Sequence, residues 1–303
     1  MKLHINNETA RLKAVVLGTA ESVGGIPDIT KAYDPKSIEH IKLGTYPKEE
    51  DMIREIESVA KVLKKYDVEV YRPKLIENYN QIFTRDIAFV IEDKFIMANI
   101  LPDREQEIEA IRHVINQIPS ENVIELPENA HIEGGDVMPY GDYILVGTYT
   151  GEDYKSFITA RTNKEAVQAL RELFPQKKVV PFNLKKSNLE ARDNALHLDC
   201  CFQPVGRDKA IIYKGGFLNV QEYEWLVNFF GKENVFEITR DEMYNMFSNV
   251  FSISEDVVIS ERNFKRLNQW LRENGITVEE VPYAEIAKQE GLLRCSTLPL
   301  VRQ

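Results

Sequence analysis

The sequence predicts an α/β fold: a five-fold propeller made from about five copies of one strand–turn–strand–helix–strand unit. Three observations carry this expectation. Apolar runs with hairpin-like turns recur roughly every 50 residues, a period typical of propellers and arrays. Each is followed by a stretch with helical periodicity and then by a short strand. Each is also preceded by a polar cluster of similar character. No Gly/Ser-rich linker or charge run divides the 303 residues, so residues 1–303 are expected to form one domain, long enough to bury a substantial core.

Leu12-Lys13-Ala14-Val15-Val16-Leu17-Gly18 reads as a buried strand, and the Gly-, Pro- and Asp-rich stretch up to about Pro47 has no period. A loop of that length is more often functional than idle and is expected to cover a site. Glu49 to Tyr66 places Met52, Ile53, Ile56, Val59, Ala60 and Leu63 on one helical face. Val68 to Pro73 then alternates as a strand. The next hairpin spans Ile87 to Ala98, with a helix from about Arg104 to Ile118 and a strand at Val123 to Pro127. The third unit has its hairpin at Val137 to Val146, helix at Asn163 to Phe174 and strand at Lys178 to Pro181. The fourth has a hairpin at Cys200 to Tyr213, a helix at Val220 to Phe230 and a strand at Val235 to Ile238. The fifth has its hairpin at Val250 to Ser260, helix at Phe264 to Glu273 and strand at Ile276 to Val278. The run after Cys295 has no helix behind it and is expected to pair with the opening strand, so that the two chain ends complete one unit.

The polar clusters carry the chemistry. Glu133-Gly134-Gly135-Asp136 leads into Val137-Met138-Pro139-Tyr140, Phe83-Thr84-Arg85-Asp86 into Ile87, and His197-Leu198-Asp199 into Cys200. Glycines let the backbone pass close to another group. Acids at the mouth of a strand are costly in a core unless they bind or catalyse. Repeats around an axis would bring Asp86, Glu133 with Asp136, His197 with Asp199, Asn249 and Cys295 together.

A net charge of -10 argues against nucleic-acid and anionic-membrane partners. There is no apolar run of membrane-spanning length and no signal-peptide core. Three cysteines, two of them adjacent, make no disulfide framework. A cytoplasmic location is expected.

Asn80-x-x-Phe83-x-Arg85-Asp86, Glu133-Gly134-Gly135-Asp136, His197-x-Asp199 and a cysteine near the C-terminus follow one another in order. Together they resemble the guanidino-group modifying superfamily, which includes arginine deiminase, dimethylarginine dimethylaminohydrolase and the amidinotransferases. The resemblance spans nearly the whole chain and implies the five-fold α/β propeller called the pentein fold. A guanidinium is a resonance-stabilised cation whose carbon is a poor electrophile. Carboxylates must grip its edges, a thiolate must attack, and an acid must protonate the departing amine. The resemblance implies Cys295 as nucleophile forming a thiouronium intermediate, His197 as general acid/base and Glu133 as its orienting partner. It implies Asp86 and Asp199 as guanidinium clamps, with Asp136 and Phe83 also binding substrate and Arg161 contacting the substrate α-carboxylate. It implies an arginine-like small molecule as partner, no organic cofactor and no metal, and is compatible with a homodimer. A cation beside Cys295 would raise its thiolate fraction.

Water resolving the intermediate would give a ureido product, the first choice; an amine acceptor would give amidino transfer. Gly291-Leu292-Leu293-Arg294 departs from the Gly-Gly-x-x-His run of some relatives. The loop Thr148 to Thr159 is longer than is usual in deiminases, and the helical domain of bacterial arginine deiminases has no counterpart here. Other readings stay open. By residue type, His131-x-Glu133 with His197-x-Asp199 could hold a metal. Asp136 could simply cap its bend, Arg85 could be a structural partner of Asp86, and Arg161 could be exposed helix-start chemistry before Asn163. Cys200 and Cys201 read as ordinary strand residues. A non-catalytic propeller that binds a cation is the reading from another class.

Overall fold

The computed structural model describes residues 1–101 and 104–303. Among these residues, strands form five three-stranded sheets with one plan. In each, a middle strand pairs antiparallel with the strand before it and parallel with the strand after it. Thus β3 (Ala88–Ile91), β4 (Lys94–Met97) and β5 (Val123–Glu125) form one sheet, and β6 (Val137–Tyr140), β7 (Tyr143–Thr148) and β8 (Lys178–Asn183) the next. β9 (Phe202–Val205), β10 (Lys209–Ile212) and β11 (Val235–Glu237) repeat the plan, as do β12 (Phe251–Ser254), β13 (Val257–Glu261) and β14 (Thr277–Val281).

The remaining sheet joins the chain ends. β15 (Thr297–Arg302) lies antiparallel to β1 (Leu12–Leu17), and β2 (Glu69–Tyr71) is parallel to β1. The pairing predicted for the run after Cys295 is therefore present. Buried apolar residues on every β1 position except Lys13 explain why this strand sits in the middle.

Helix α2 (Glu49–Lys65) buries Met52, Ile56, Val59 and Leu63, the face its periodicity marks. Acids fill its first turn and lysines its last, matching the helix dipole. α6 (Lys164–Leu173) begins at Asn163, whose side chain accepts from the Ala166 N–H. α7 (Val220–Phe230) and α9 (Lys265–Glu273) occupy the corresponding places in their units.

Three expectations are corrected. The stretch read as loop up to Pro47 contains α1 (Pro35–Lys42), capped by Asp34, whose side chain accepts from the Ser37 N–H. Its buried residues are Pro35, Lys36 and Ser37, so no apolar stripe announces it. The helix expected over 104–118 is two short pieces, α4 (Gln106–Ala110) and α5 (Arg112–Ile115), broken where Ile111 leaves helical geometry. A further short helix, α8 (Arg240–Tyr244), follows a capping box between Thr239 and Glu242. No helix among the described residues is long and apolar enough to cross a membrane.

The closing strand is open to a direct test. Leu298 is fully buried, so Leu298→Ala should cost about 2–5 kcal/mol in urea unfolding. Leu189→Ala, at a side chain 93% exposed, should stay within about 0.5 kcal/mol of the parent.

Candidate active site

A tight turn precedes each of three hairpins and aims the polar residues. Short helical turns at α3 (Thr84–Ile87), Gly134–Asp136 and Leu198–Cys200 follow Phe83, Glu133 and His197. The Asp136 N–H returns to the Glu133 carbonyl (3.0 Å) and the Cys200 N–H to the His197 carbonyl (3.1 Å). The two glycines are steric requirements. A Cβ on Gly134 would lie 2.1 Å from the Arg85 carbonyl oxygen, and one on Gly135 would lie 2.6 Å from His197 Nδ1.

These turns bring His197, Glu133 and Asp86 together. His197 Nε2 is 2.7 Å from Glu133 Oε2, and its Nδ1 is 3.7 Å from Asp86 Oδ1. All three side chains are buried. Burial alone would lower the His197 pKa, but Asp86, the Glu133 hydrogen bond and Asp136 outweigh it and raise the pKa to about 9. Glu133 is opposed by burial yet held far below the usual carboxylate range by Arg161 and His197. Arg161 Nη1 donates to Glu133 Oε1 (3.0 Å) and Oε2 (3.2 Å), Nη2 to the Tyr33 carbonyl and Nε to the Ile158 carbonyl. Arg104 spans Asp86 (Nη1–Oδ2 2.8 Å) and Glu107 (Nε–Oε1 2.7 Å) and reaches the Phe83 carbonyl. Asp86 Oδ1 is left without a hydrogen-bond donor.

Cys295 lies on the other side of the same cavity. Asn249 Nδ2 donates to its Sγ (3.2 Å), and Asn249 Oδ1 accepts from the Cys295 N–H (3.2 Å) and the Arg294 N–H (2.9 Å). Asp199 Oδ2 is 3.7 Å from Sγ. Burial, Asp199 and Asp86 push the thiol pKa well above its ordinary value, so the resting sulfur is protonated. The cation on which a raised thiolate fraction depends is not supplied by the chain's own residues here: the charges that act on the sulfur are carboxylates, and His197 is turned toward Glu133 and Asp86.

Asp199 forms an ion pair with Arg294 (2.8 Å). Arg294, fully buried, also donates to both oxygens of Glu8 (3.1 Å each) and to the Gly135 and Val137 carbonyls. Burial works against the charge on Glu8, but Arg294 and Arg85 hold its carboxyl down at about 2.

A cavity of about 210 Å³ opens onto Asp86, His197, Cys295, Phe83, Arg104 and Arg161. The stretch expected to cover a site does so, since residues from Val23 to Tyr46 form much of its wall. The site residues expected from the sequence divide into two sets. Asp86, His197, Cys295, Phe83 and Arg161 line the cavity, while Glu133, Asp199 and Asp136 stand behind them. Asp136 accepts from the Leu198 N–H (2.9 Å) and the Thr162 hydroxyl (2.7 Å), the tether that a capping residue makes. Arg85 is not the partner of Asp86: it lies 3.8 Å from Glu8, while Arg104 holds Asp86. Arg161 is buried against Glu133, not exposed beside Asn163. Sequence reasoning missed Arg104, Glu107 and Glu8. The Arg104-x-x-Glu107 spacing was a readable signal for one helical ion pair, but nothing local marks Glu8.

The metal set read from the sequence does not assemble, because the His131 side chain is exposed. The ligand-type cluster among the described residues is Asp86, Glu133 and His197. Arg104 and Arg161 already neutralise its carboxylates and His197 carries the third positive charge, so a metal ion would meet three cations.

Residues 40–302 match the family model described as "N,N dimethylarginine dimethylhydrolase, eukaryotic". The chain belongs to this family. With it comes membership of the guanidino-group modifying superfamily and its mixed α/β pentein fold. The chain is 29% identical to the uncharacterized protein YkgA of Bacillus subtilis (strain 168) over 80% of this chain and 78% of that one. Two solved structures share the fold. The N-terminal domain of ArgZ, an arginine dihydrolase from the ornithine–ammonia cycle in cyanobacteria, has a TM-score of 0.77 at 18% identity, covering 95% of this chain and 98% of that one. Another structure of that ArgZ domain holds a covalently bound reaction intermediate. SxtG, an amidinotransferase from Microseira wollei in the saxitoxin pathway, has a TM-score of 0.76 at 17% identity over 99% and 97%. The chain is thus a guanidino-modifying enzyme of a fold that serves both hydrolysis and transfer.

The raised His197 pKa has a stability consequence with a fixed sign. Its contribution is fully present below the ordinary value of 6.5 and is lost as pH rises through about 9. Melting temperature should therefore decline across that window. Glu133→Gln should flatten the decline and bring the His197 titration, followed by NMR, back toward 6.5.

Proposed function

We propose that this chain hydrolyses an arginine-like guanidino compound through a covalent Cys295 intermediate, with residues 1–303 acting as one catalytic domain. We read its five units as the blades of a five-fold propeller that encloses the site. The observation that carries the proposal is that Cys295, His197 and Asp86, whose Oδ1 has no hydrogen-bond donor, line one cavity.

The planar cation meets Asp86 on one edge, where an acceptor awaits a donor, and Asp199 stands behind the sulfur. A bound guanidinium offsets the carboxylates that keep Cys295 protonated, so the thiol loses its proton to solvent only once substrate is present. The thiolate then forms a C–S bond. The C–N bond to the departing amine breaks as His197, protonated at neutral pH, gives that nitrogen its proton. Neutral His197 next takes a proton from water, which attacks the thiouronium carbon and expels Sγ. The products are a ureido compound and an amine or ammonia. Glu133 fixes the ring and favours the imidazolium, while Asn249 orients Sγ. Phe83 and Arg161 contribute wall and charge, and Asp136 positions the His197 turn through Leu198.

Amidino transfer is the second reading, favoured by the likeness of fold to SxtG. The two readings part at the acceptor. Mass spectrometry of products from arginine, methylated arginines and simpler guanidines, with and without an added amine, separates them. A ureido product formed without acceptor is expected; a new guanidino compound formed only with an acceptor would replace hydrolysis by transfer. The rate should rise with pH as the substrate-bound thiol ionises, then fall through about 9 as His197 loses the proton it must donate. Asp86→Asn should reduce kcat/KM by roughly ten- to a hundredfold, as expected for loss of one buried charge-assisted contact.

A further inference from the structure

The backbone on both sides of His197 is held by a buried charged side chain. After it, the Leu198 N–H donates to Asp136 Oδ1 (2.9 Å). Before it, Lys186 Nζ donates to the carbonyls of Ala195 and Leu196, each at 2.8 Å. Leu196 lines the cavity, so the lysine fixes both a piece of wall and the approach to the imidazole.

Closing this loop does not require a charge. The Ala195 N–H already reaches the Lys185 carbonyl (2.9 Å), and Asn194 Oδ1 accepts from the Ser187 N–H (3.1 Å). Lys186 is 8% exposed, and among the described residues no carboxylate stands within ion-pair distance of it. Burying an ammonium is costly unless both its N–H groups and its charge are met. The two carbonyls meet the first need. For the second, burial lowers the Lys186 pKa, and Asp136 is the largest charge acting against it.

The influence is mutual. Burial raises the Asp136 carboxyl, while His197 and Lys186 lower it. Asp136 is in turn one of three acids, with Asp86 and Glu133, that hold the proton on the imidazole against burial. The other charges around the ring are committed: Arg104 to Asp86 and Glu107, and Arg161 to Glu133. Cys200 and Cys201 also act on Lys186, but burial raises the pKa of both thiols, so neither offers it a thiolate.

We propose that Lys186 is a positioning residue for His197: as an ammonium it pins the backbone before the imidazole and keeps Asp136 a carboxylate behind it. The two side chains are then an opposite-charge pair acting across one turn, and losing the cation loosens both holds. This rests on the reading of His197 as the group that gives the departing amine its proton.

Lys186→Met keeps the length of the side chain and removes its charge and both donors. With Asp136 neutralised, the His197 titration followed by NMR should fall from about 9 by about one pH unit or more, the scale of one nearby charge. The alkaline limb of kcat should move with it, and KM should change little because Asp86 keeps its place in the cavity. Lys186→Arg, which restores charge and donors, should return both readings toward the parent. A lysine with a merely structural role would lower the melting temperature or the active fraction and leave both titrations in place. That result, or a His197 titration that rises, would overturn the proposal. The unsubstituted protein supplies a check that needs no variant. At neutral pH, nitrogen NMR should show Lys186 as an ammonium protected from solvent exchange, and a neutral amine there would sink the proposal even if both variants misfold. The NMR readings need no turnover. A shifted His197 in Lys186→Met beside a parent that turns over no guanidino compound would remove the hydrolase reading and leave the positioning role. Turnover with an unmoved His197 would do the reverse.

Discussion

Arg294 is the group on which the site depends. It is sealed from solvent, and its guanidinium links Glu8 near the N-terminus, Asp199 before β9 and the carbonyls of Gly135 and Val137 before and within β6. Its own backbone N–H is held by Asn249, and the next residue is Cys295. One buried cation thus fixes the spacing between Cys295, the carboxylate of Asp199 and the turn that carries Glu133. A buried charge tolerates this only with full compensation, because removing either partner leaves the other uncompensated in a poor solvent for ions. Glu8 and Asp199 supply that compensation, and the position cannot drift without breaking it.

The same principle extends across the cavity. Arg104 is held between Asp86 and Glu107, and Arg161 against Glu133. Arg161 leaves Glu133 ionised against His197, and Asp86 adds its charge from the other ring nitrogen, which is why the imidazole keeps its proton despite complete burial. The pairs also leave the sulfur facing negative charge, which is why Cys295 rests as a thiol. On the mechanism proposed above, a site arranged in this way is inert until a cation enters. Substrate recognition and nucleophile activation are then one event, and neutral electrophiles gain nothing from the site's charge.

Much of this was legible in the sequence because the repeating unit alternates two periods. α2, α7 and α9 show a helical face, the hairpins show short apolar runs with polar turns, and Glu133-Gly134-Gly135-Asp136 with His197-x-Asp199 marks the turns that converge. The pairing of β15 with β1 followed from counting units. The unread parts lack local signals. α1 buries Pro35, Lys36 and Ser37 where an apolar face was sought, although Asp34 followed by Pro35 is a helix-start pattern. Glu8 and Arg294 are 286 positions apart, and no spacing rule connects them. Burial was the other hidden variable. Glu133, Asp136 and Asp199 looked equivalent to Asp86 from their places in the repeat, yet they stand behind the wall that Asp86 helps to form.

Rapid acid quench of the working enzyme, followed by peptide mass mapping, tests the covalent mechanism most directly. This arrangement predicts that the peptide containing Cys295 carries an amidino-type adduct during turnover, and that Cys295→Ser abolishes both the adduct and the product. Adduct on Cys200 or Cys201 instead, or product formation that survives Cys295→Ser, would contradict it.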